Sequence, residues 1–232
     1  MNWLVVAIAA QVILASSAIF DKLLLKRRSI EPWGYTFWFG LMGIFAIFLL
    51  PFGYQPTSLA TVLLALVSGA FFIAGVFFYF QALELAEASE TLPLIGALSP
   101  IFTLVIGVQY LGTRPNLADL VGFAFLISSG LVLYWSERRE FTHRVIGAII
   151  GSAFFLAASY VTTKAVFAGT SFITGFFWVK MGGAFLSLLI LASPRLKHRV
   201  FRAAEHTAPR ERLLYLANRG YASLGSILVA GA

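Results

Sequence analysis

Long apolar runs without alternation decide what this chain can become. Stretches such as Leu41–Leu50 stay apolar residue after residue. A membrane-spanning strand would alternate apolar and polar side chains, so these runs are helices. Crossing about 30 Å of hydrocarbon takes roughly 20 such residues. On that rule the spans are Trp3–Leu25, Trp33–Pro51, Leu59–Leu83, Thr91–Gly112, Leu117–Trp135, Val145–Thr163 and Phe172–Ser193. An eighth begins near Leu213 or Tyr221 and runs to Ala232. Composition agrees. Only 12% of the 232 residues are charged, against about 25% in soluble domains. Half the usual charge cannot cover a water-soluble globule, so much of the surface faces lipid. The expected fold class is an all-α integral membrane protein, a polytopic helix bundle. The chain has no cysteine, which removes disulfides and thiolate chemistry.

The first apolar run could be a signal peptide, but an uncleaved span is the expectation. Met1–Asn2 carry no basic side chain, and the basic residues follow the run rather than precede it. The far end is less regular. Tyr221–Ala232 would extend only about 18 Å as a helix. Starting at Leu213 instead takes Asn218 and Arg219 into the membrane at a cost. The expectation is a piece of a longer protein, cut inside a helix; a short last helix supported by its neighbours is the alternative.

The chain repeats itself weakly. Ile13–Lys22 aligns with Phe155–Lys164 through shared Leu, Ala, Ser and Lys. After a two-residue adjustment in the loop, Phe37-Trp38 falls on Phe177-Trp178, Gly43 on Gly183, Phe45 on Phe185 and Leu49 on Leu189. A unit of five spans is odd, so a second copy enters the membrane from the opposite side. The expected modules are residues 1–136 and an incomplete 145–232. Loop charge tests this independently. Lys26, Arg27 and Arg28, then Arg138, Arg139 and Arg144, then Arg195, Lys197, Arg199, Arg202, Arg210 and Arg212 all fall on one side. Pro51–Ser58 and the sixth-to-seventh turn, both uncharged, lie opposite, with Arg114. The positive-inside rule places the basic side in the cytoplasm and the N-terminus outside. The basic connection after the seventh span also suits an amphipathic segment on anionic lipid. No nucleic-acid partner is expected, since basic cytoplasmic loops are ordinary in such proteins.

Phe80-Gln81-Ala82-Leu83-Glu84-Leu85-Ala86-Glu87-Ala88-Ser89 leads into Leu98-Ser99-Pro100-Ile101-Phe102-Thr103 and then Tyr110-Leu111-Gly112. This order resembles the EamA domain of the drug/metabolite transporter superfamily. The resemblance covers the first five spans and returns weakly over the rest. It implies ten helices in two inverted five-helix halves, with a substrate cavity between them. About seven to eight of those ten would be present here. It also implies an interior N-terminus, contrary to the loop charge. Thr113 stands where the family often has a glutamate, and Trp38 near the place of a basic residue.

Lys180 is the clearest functional candidate. It sits mid-span, where an ionisable group is expensive and usually functional. It would bind an anionic group or exchange a proton; a structural pairing is the bland alternative. Trp38 and Trp178 occupy equivalent positions in the two halves, with Tyr79 and Tyr160 nearby, and would make an aromatic wall. Packing or lipid contact is the commoner role for such rings. Asp21 and Glu84 are the acidic candidates for proton coupling. Gln81 shares a helix face with Glu84, which equally suits a helix end. Lys22 and Lys164, near helix C-termini, suit dipole complementation and snorkelling. Gly147 and Gly151 suggest a close helix approach, and Pro93 and Pro100 a bend.

His143, His198 and His206 show no metal-ligand spacing, and no phosphate-cradling loop is present. No cofactor and no enzymatic role are expected. The expected partners are a small-molecule substrate and the lipid bilayer, with homodimerisation open. A gradient-driven transporter of small metabolites, such as amino acids or amphipathic solutes, in the cell inner membrane is the leading reading. A membrane-embedded lipid-modifying enzyme, using Glu84, Glu87 and Glu90, and a non-catalytic scaffold are the alternatives.

Overall fold

A computed structural model describes residues 3–26, 31–112, 115–137 and 141–200, apart from 195, 198 and 199. The expected eighth span, Thr113, Arg114, and most of the basic residues used for orientation lie outside the described residues. The elements are α1 (Trp3–Lys26), α2 (Pro32–Leu41) continued by a 3₁₀ segment (Met42–Phe52), α3 (Leu59–Leu85), α4 (Ala88–Leu111), α5 (Leu117–Glu137), α6 (His143–Gly169) and α7 (Phe172–Ile190). No strand occurs among the described residues. Five of the helical stretches are long and apolar enough to cross a membrane: Pro32–Phe52, Leu59–Leu85, Ala88–Leu111, His143–Gly169 and Phe172–Ile190.

Local chemistry sets the helix ends. Ser58 accepts a hydrogen bond from the Thr61 amide at 3.2 Å, and Ser171 from the Thr174 amide at 3.4 Å, capping α3 and α7. Asn116 and Asp119 cap α5 reciprocally, each side chain accepting from the other's amide at 2.8 and 3.0 Å. Leu111-Gly112 closes α4 because Gly112 turns left-handed, with φ of 63°. α4 runs unbroken through Pro93 and Pro100.

The second span departs from the plain helix expected over Trp33–Pro51. Its C-terminal half winds as a 3₁₀ helix, three residues per turn, so side chains at i and i+3 eclipse. Phe45 and Phe48 therefore stack, with centroids 6.1 Å apart and planes at 14°. Gly43 and buried Ala46 share the small-residue row.

α3 is the centre of the bundle. It packs along both α6 and α7, and α2 covers its C-terminal half. α4 leans on α6 and carries α5 on its other side. Lipid is as apolar as leucine, so association in a membrane depends on close packing and interhelical hydrogen bonds. Several of the close approaches lie at α7. A Cβ at Gly69 of α3 would stand 2.6 Å from the Gly183 amide nitrogen, and one at Gly182 would stand 2.6 Å from the Leu66 Cα. A Cβ at Gly40 would meet the Gly183 carbonyl oxygen at 3.0 Å, and one at Gly43 the Lys180 carbonyl oxygen at 2.7 Å. The close approach expected along Gly147 and Gly151 is made at one of the two: Gly147 faces open space, while a Cβ at Gly151 would stand 3.0 Å from the Phe78 ring of α3. The Ser68 hydroxyl ties α3 to α6, within 3.0 Å of the Ser159 carbonyl and 2.6 Å of the Thr163 hydroxyl.

The two ends of the bundle are fastened differently. At one end the Lys22 ammonium donates to the carbonyls of Leu83 and Ala86, each at 2.6 Å, and lies 4.0 Å from Glu87. At the other, Thr174 of α7 grips the loop after the 3₁₀ segment. Its hydroxyl accepts from the Gln55 amide at 2.8 Å and donates to the Gln55 carbonyl at 3.0 Å. Tyr54 meets Phe177 edge-on beside it, with centroids 6.3 Å apart.

Candidate functional site

Lys180 lies near the centre of the 19-residue α7. Its side chain is partly exposed. The ammonium stands 5.1 Å from the ring centroid of Phe176, one turn earlier on α7, and 5.4 Å from that of Phe72 on α3. Ring faces carry negative potential, so the two phenyls hold the cation between them. Among the described residues Lys180 has no ion pair and no hydrogen bond. The Gly182-Gly183 pair explains how it reaches Phe72, since the lack of side chains there brings α7 against α3.

From Lys180 an aromatic column runs toward the opposite end of the bundle. Phe72 lies 5.9 Å from Phe39 on α2, and Phe39 lies 6.2 Å from Phe80. Phe80 meets Tyr35 edge-on at 4.5 Å. The Tyr35 hydroxyl donates to Asp21 Oδ1 at 2.6 Å. Trp38 and Tyr79 pack on the same cluster. Phe72, Val76, Tyr79 and Leu83 recur at helical spacing and so share one face of α3.

The structure brings some candidate residues together and separates others. Lys180, Trp38 and Tyr79 flank this face. Tyr160 is 52% exposed on α6, one turn beyond Leu156, which packs against the same cluster. Tyr79 and Tyr160 lie within electrostatic reach of each other. Trp178 is not the mirror wall expected opposite Trp38. It leaves α7 about 200° round from Lys180, and its Nε1 is buried without a hydrogen-bond partner among the described residues. Gln81 and Glu84 share a face as expected, but one turned away from Phe72 and Tyr79; Glu84 is exposed at the end of α3. Asp21 is buried, 4% exposed, and held by Tyr35. Lys22 does meet a helix C-terminus, though that of α3 rather than its own. Lys164 is exposed on α6.

Phe72, Phe39 and Phe176 were missed in the sequence. Each is one of 23 phenylalanines, and nothing local distinguishes Phe72 and Phe39. The spacing of Phe176 from Lys180, one helical turn, was the available signal. Three buried hydroxyls, Thr36, Ser152 and Ser187, also have no hydrogen-bond partner among the described residues. Thr36 and Ser187 lie along the α2–α7 seam, where Ser187 packs against Gly40.

A helical bundle of this hydropathy is a polytopic integral membrane protein. The EamA-like transporter family model matches residues 1–135, more than half of the chain. The chain belongs to that family. A curated relative from Sinorhizobium sp, named as an uncharacterized transporter in cobO 3'region, is 36% identical over 77 residues. The match takes in 33% of this chain and 51% of that protein, so the chain spans about half the length of the curated relative it matches.

Proposed function

We propose that this chain forms part of a secondary transporter of small metabolites, with its solute path along the face between α2, α3, α6 and α7. The observation that carries this is Lys180: a charged side chain in mid-helix, cushioned by rings, with no ionic partner among the described residues. Intramembrane charges of that kind mark solute or ion paths. The other charged side chains among the described residues lie nearer the helix ends.

Two inverted five-helix modules give the path its location, at their interface. The offset that carries Phe37-Trp38 onto Phe177-Trp178 and Gly43 onto Gly183 also carries Gly40 onto Lys180. The contact Gly40–Gly183 thereby becomes the contact Lys180–Gly43, and both exist. Such reciprocal pairs are the signature of a two-fold relation, which supports reading α2 and α7 as equivalent helices on either side of an axis. The basic connections belong in the cytoplasm on this reading, with the N-terminus outside and the protein in the cell inner membrane.

Uptake of a labelled metabolite panel into proteoliposomes tests it. At least one solute is expected to accumulate down an imposed gradient, and Lys180→Ala is expected to reduce the rate by about tenfold or more. No uptake of any solute, together with activity on lipid, would remove the transporter reading.

A further inference from the structure

We infer that the Lys180 face selects a small organic monoanion with a flat apolar body, and disfavours zwitterions and cations of the same shape. This rests on the transport path proposed above and narrows the amino acids and amphipathic solutes expected from sequence to one charge class.

The argument is about charge balance. A zwitterion bound away from water needs a partner for each sign, because an unpaired buried charge is strongly penalised. On this face the described residues offer a cation alone. Asp21 already holds the Tyr35 hydroxyl at 2.6 Å and is 4% exposed. Glu84 projects from another side of α3. Glu87, 4.0 Å from Lys22, and Glu90 lie at the start of α4, far along the bundle from Phe72. An incoming ammonium would therefore meet the Lys180 ammonium and no carboxylate. An incoming carboxylate would meet a cation whose other sides are taken by Phe72 and Phe176, at 5.4 and 5.1 Å. Rings leave the ammonium's hydrogen-bond donors unspent, so a carboxylate accepts them without displacing a stronger partner.

The body is set by what lies beside the charge. Phe72, Phe39, Trp38 and Tyr79 are all partly exposed and surround the cluster of Tyr35, Val76 and Phe80. A flat or branched apolar group fits such rings by offset or edge contact. Tyr79 stands seven residues from Phe72, roughly 10 Å along the helix. That distance accommodates one ring and a short side chain. The site is one-sided: the repeat counterpart of Lys180 is Gly40, so the other half supplies no matching cation at that position.

Three probes of one shape and different charge decide the matter: 3-phenylpropionate, phenylalanine and phenethylamine. Binding to the purified chain in detergent is measured by tryptophan fluorescence, and uptake in proteoliposomes with the same probes. Phenylpropionate is expected to bind at least about tenfold more tightly than either of the others. Plain propionate is expected to bind more weakly than phenylpropionate, since it lacks the ring. Lys180→Met is expected to abolish the preference for the anion and Lys180→Arg to retain it. Phe72→Leu, which leaves the charge in place, is expected to narrow the gap between phenylpropionate and propionate. Tighter or equal binding of phenylalanine or phenethylamine overturns the inference, as does anion binding unchanged in Lys180→Met. The two readings fail separately. Anion-selective binding without uptake would sink the transporter reading and leave this one; uptake of a zwitterion or cation without anion binding would do the reverse.

Discussion

Gly182 has no side chain, and the bundle depends on that. A Cβ there would stand 2.6 Å from the Leu66 Cα and 2.7 Å from its carbonyl carbon, contacts that require a helix to move. Gly182→Val is therefore expected to destabilise the protein by about 1–3 kcal/mol, read by thermal unfolding in detergent. Gly147→Val is the control. Nothing lies within 4 Å of a Cβ at Gly147, so its effect is expected within about 0.5 kcal/mol. Equal losses from both would remove the close α3–α7 contact as the source of stability. The sequence shows both glycines equally well. The G-x-x-x-G spacing pointed to Gly147 and Gly151, yet spacing says only that small residues share a face, not which of them a neighbouring helix reaches. Lys180 was legible because a charge in an apolar run stands out. Its phenyl partner on α3, Phe72, was not, because one phenylalanine among many carries no local mark.

Among the elements, the α7 N-terminus and the loop after the 3₁₀ segment are joined through one hydroxyl. Thr174 is fully buried and satisfies both the amide and the carbonyl of Gln55. Ser171 adds a bond to the Thr174 hydroxyl at 3.0 Å. Thr174→Val keeps the shape and removes the hydroxyl. A hydrogen bond of this kind contributes about 1 kcal/mol, so amide exchange at Gln55 is expected to rise about fivefold. Thr174→Ser is expected to restore protection. Unchanged exchange in the valine variant, followed by mass spectrometry, would show that the loop is held by Tyr54 and Phe177 instead. The helical extents themselves were readable from hydropathy within about three residues, except that α6 runs to Gly169, six residues past the expected Thr163. The 3₁₀ winding of Met42–Phe52 was not, because a uniformly apolar run fixes neither three nor 3.6 residues per turn. The close crossing of Gly40 and Gly43 with α7 accompanies it. Twenty-one residues then reach roughly 37 Å, rather than the 31 Å of a plain α-helix.

For the whole molecule, alternation of the described helices puts Pro51–Ser58 and the α6–α7 turn at one end, with the α3–α4 turn and residues 141–142 at the other. The absence of native cysteine makes this directly measurable. Single cysteines at Gln55 and at Thr142, both exposed, are expected to react with a membrane-impermeant thiol reagent from opposite sides of sealed vesicles, Gln55 from outside the cell. Labelling of both from one side would break the antiparallel arrangement; labelling of Gln55 only from the cytoplasm would reverse the orientation and restore the interior N-terminus that the family resemblance implies.

The sequence by itself determined that this protein is a bundle of membrane helices, roughly where each begins and ends, and that Lys180 lies deep within one of them. Those properties follow from transfer free energies and local hydrogen bonding, which each segment carries independently of its neighbours. Only the tertiary structure decided which glycines meet, which rings of other helices surround Lys180, and that Gln81 and Glu84 face away from it. Apolar helices have little hydropathic contrast around their circumference, so the choice of neighbour rests on steric fit between distant segments rather than on any pattern within one.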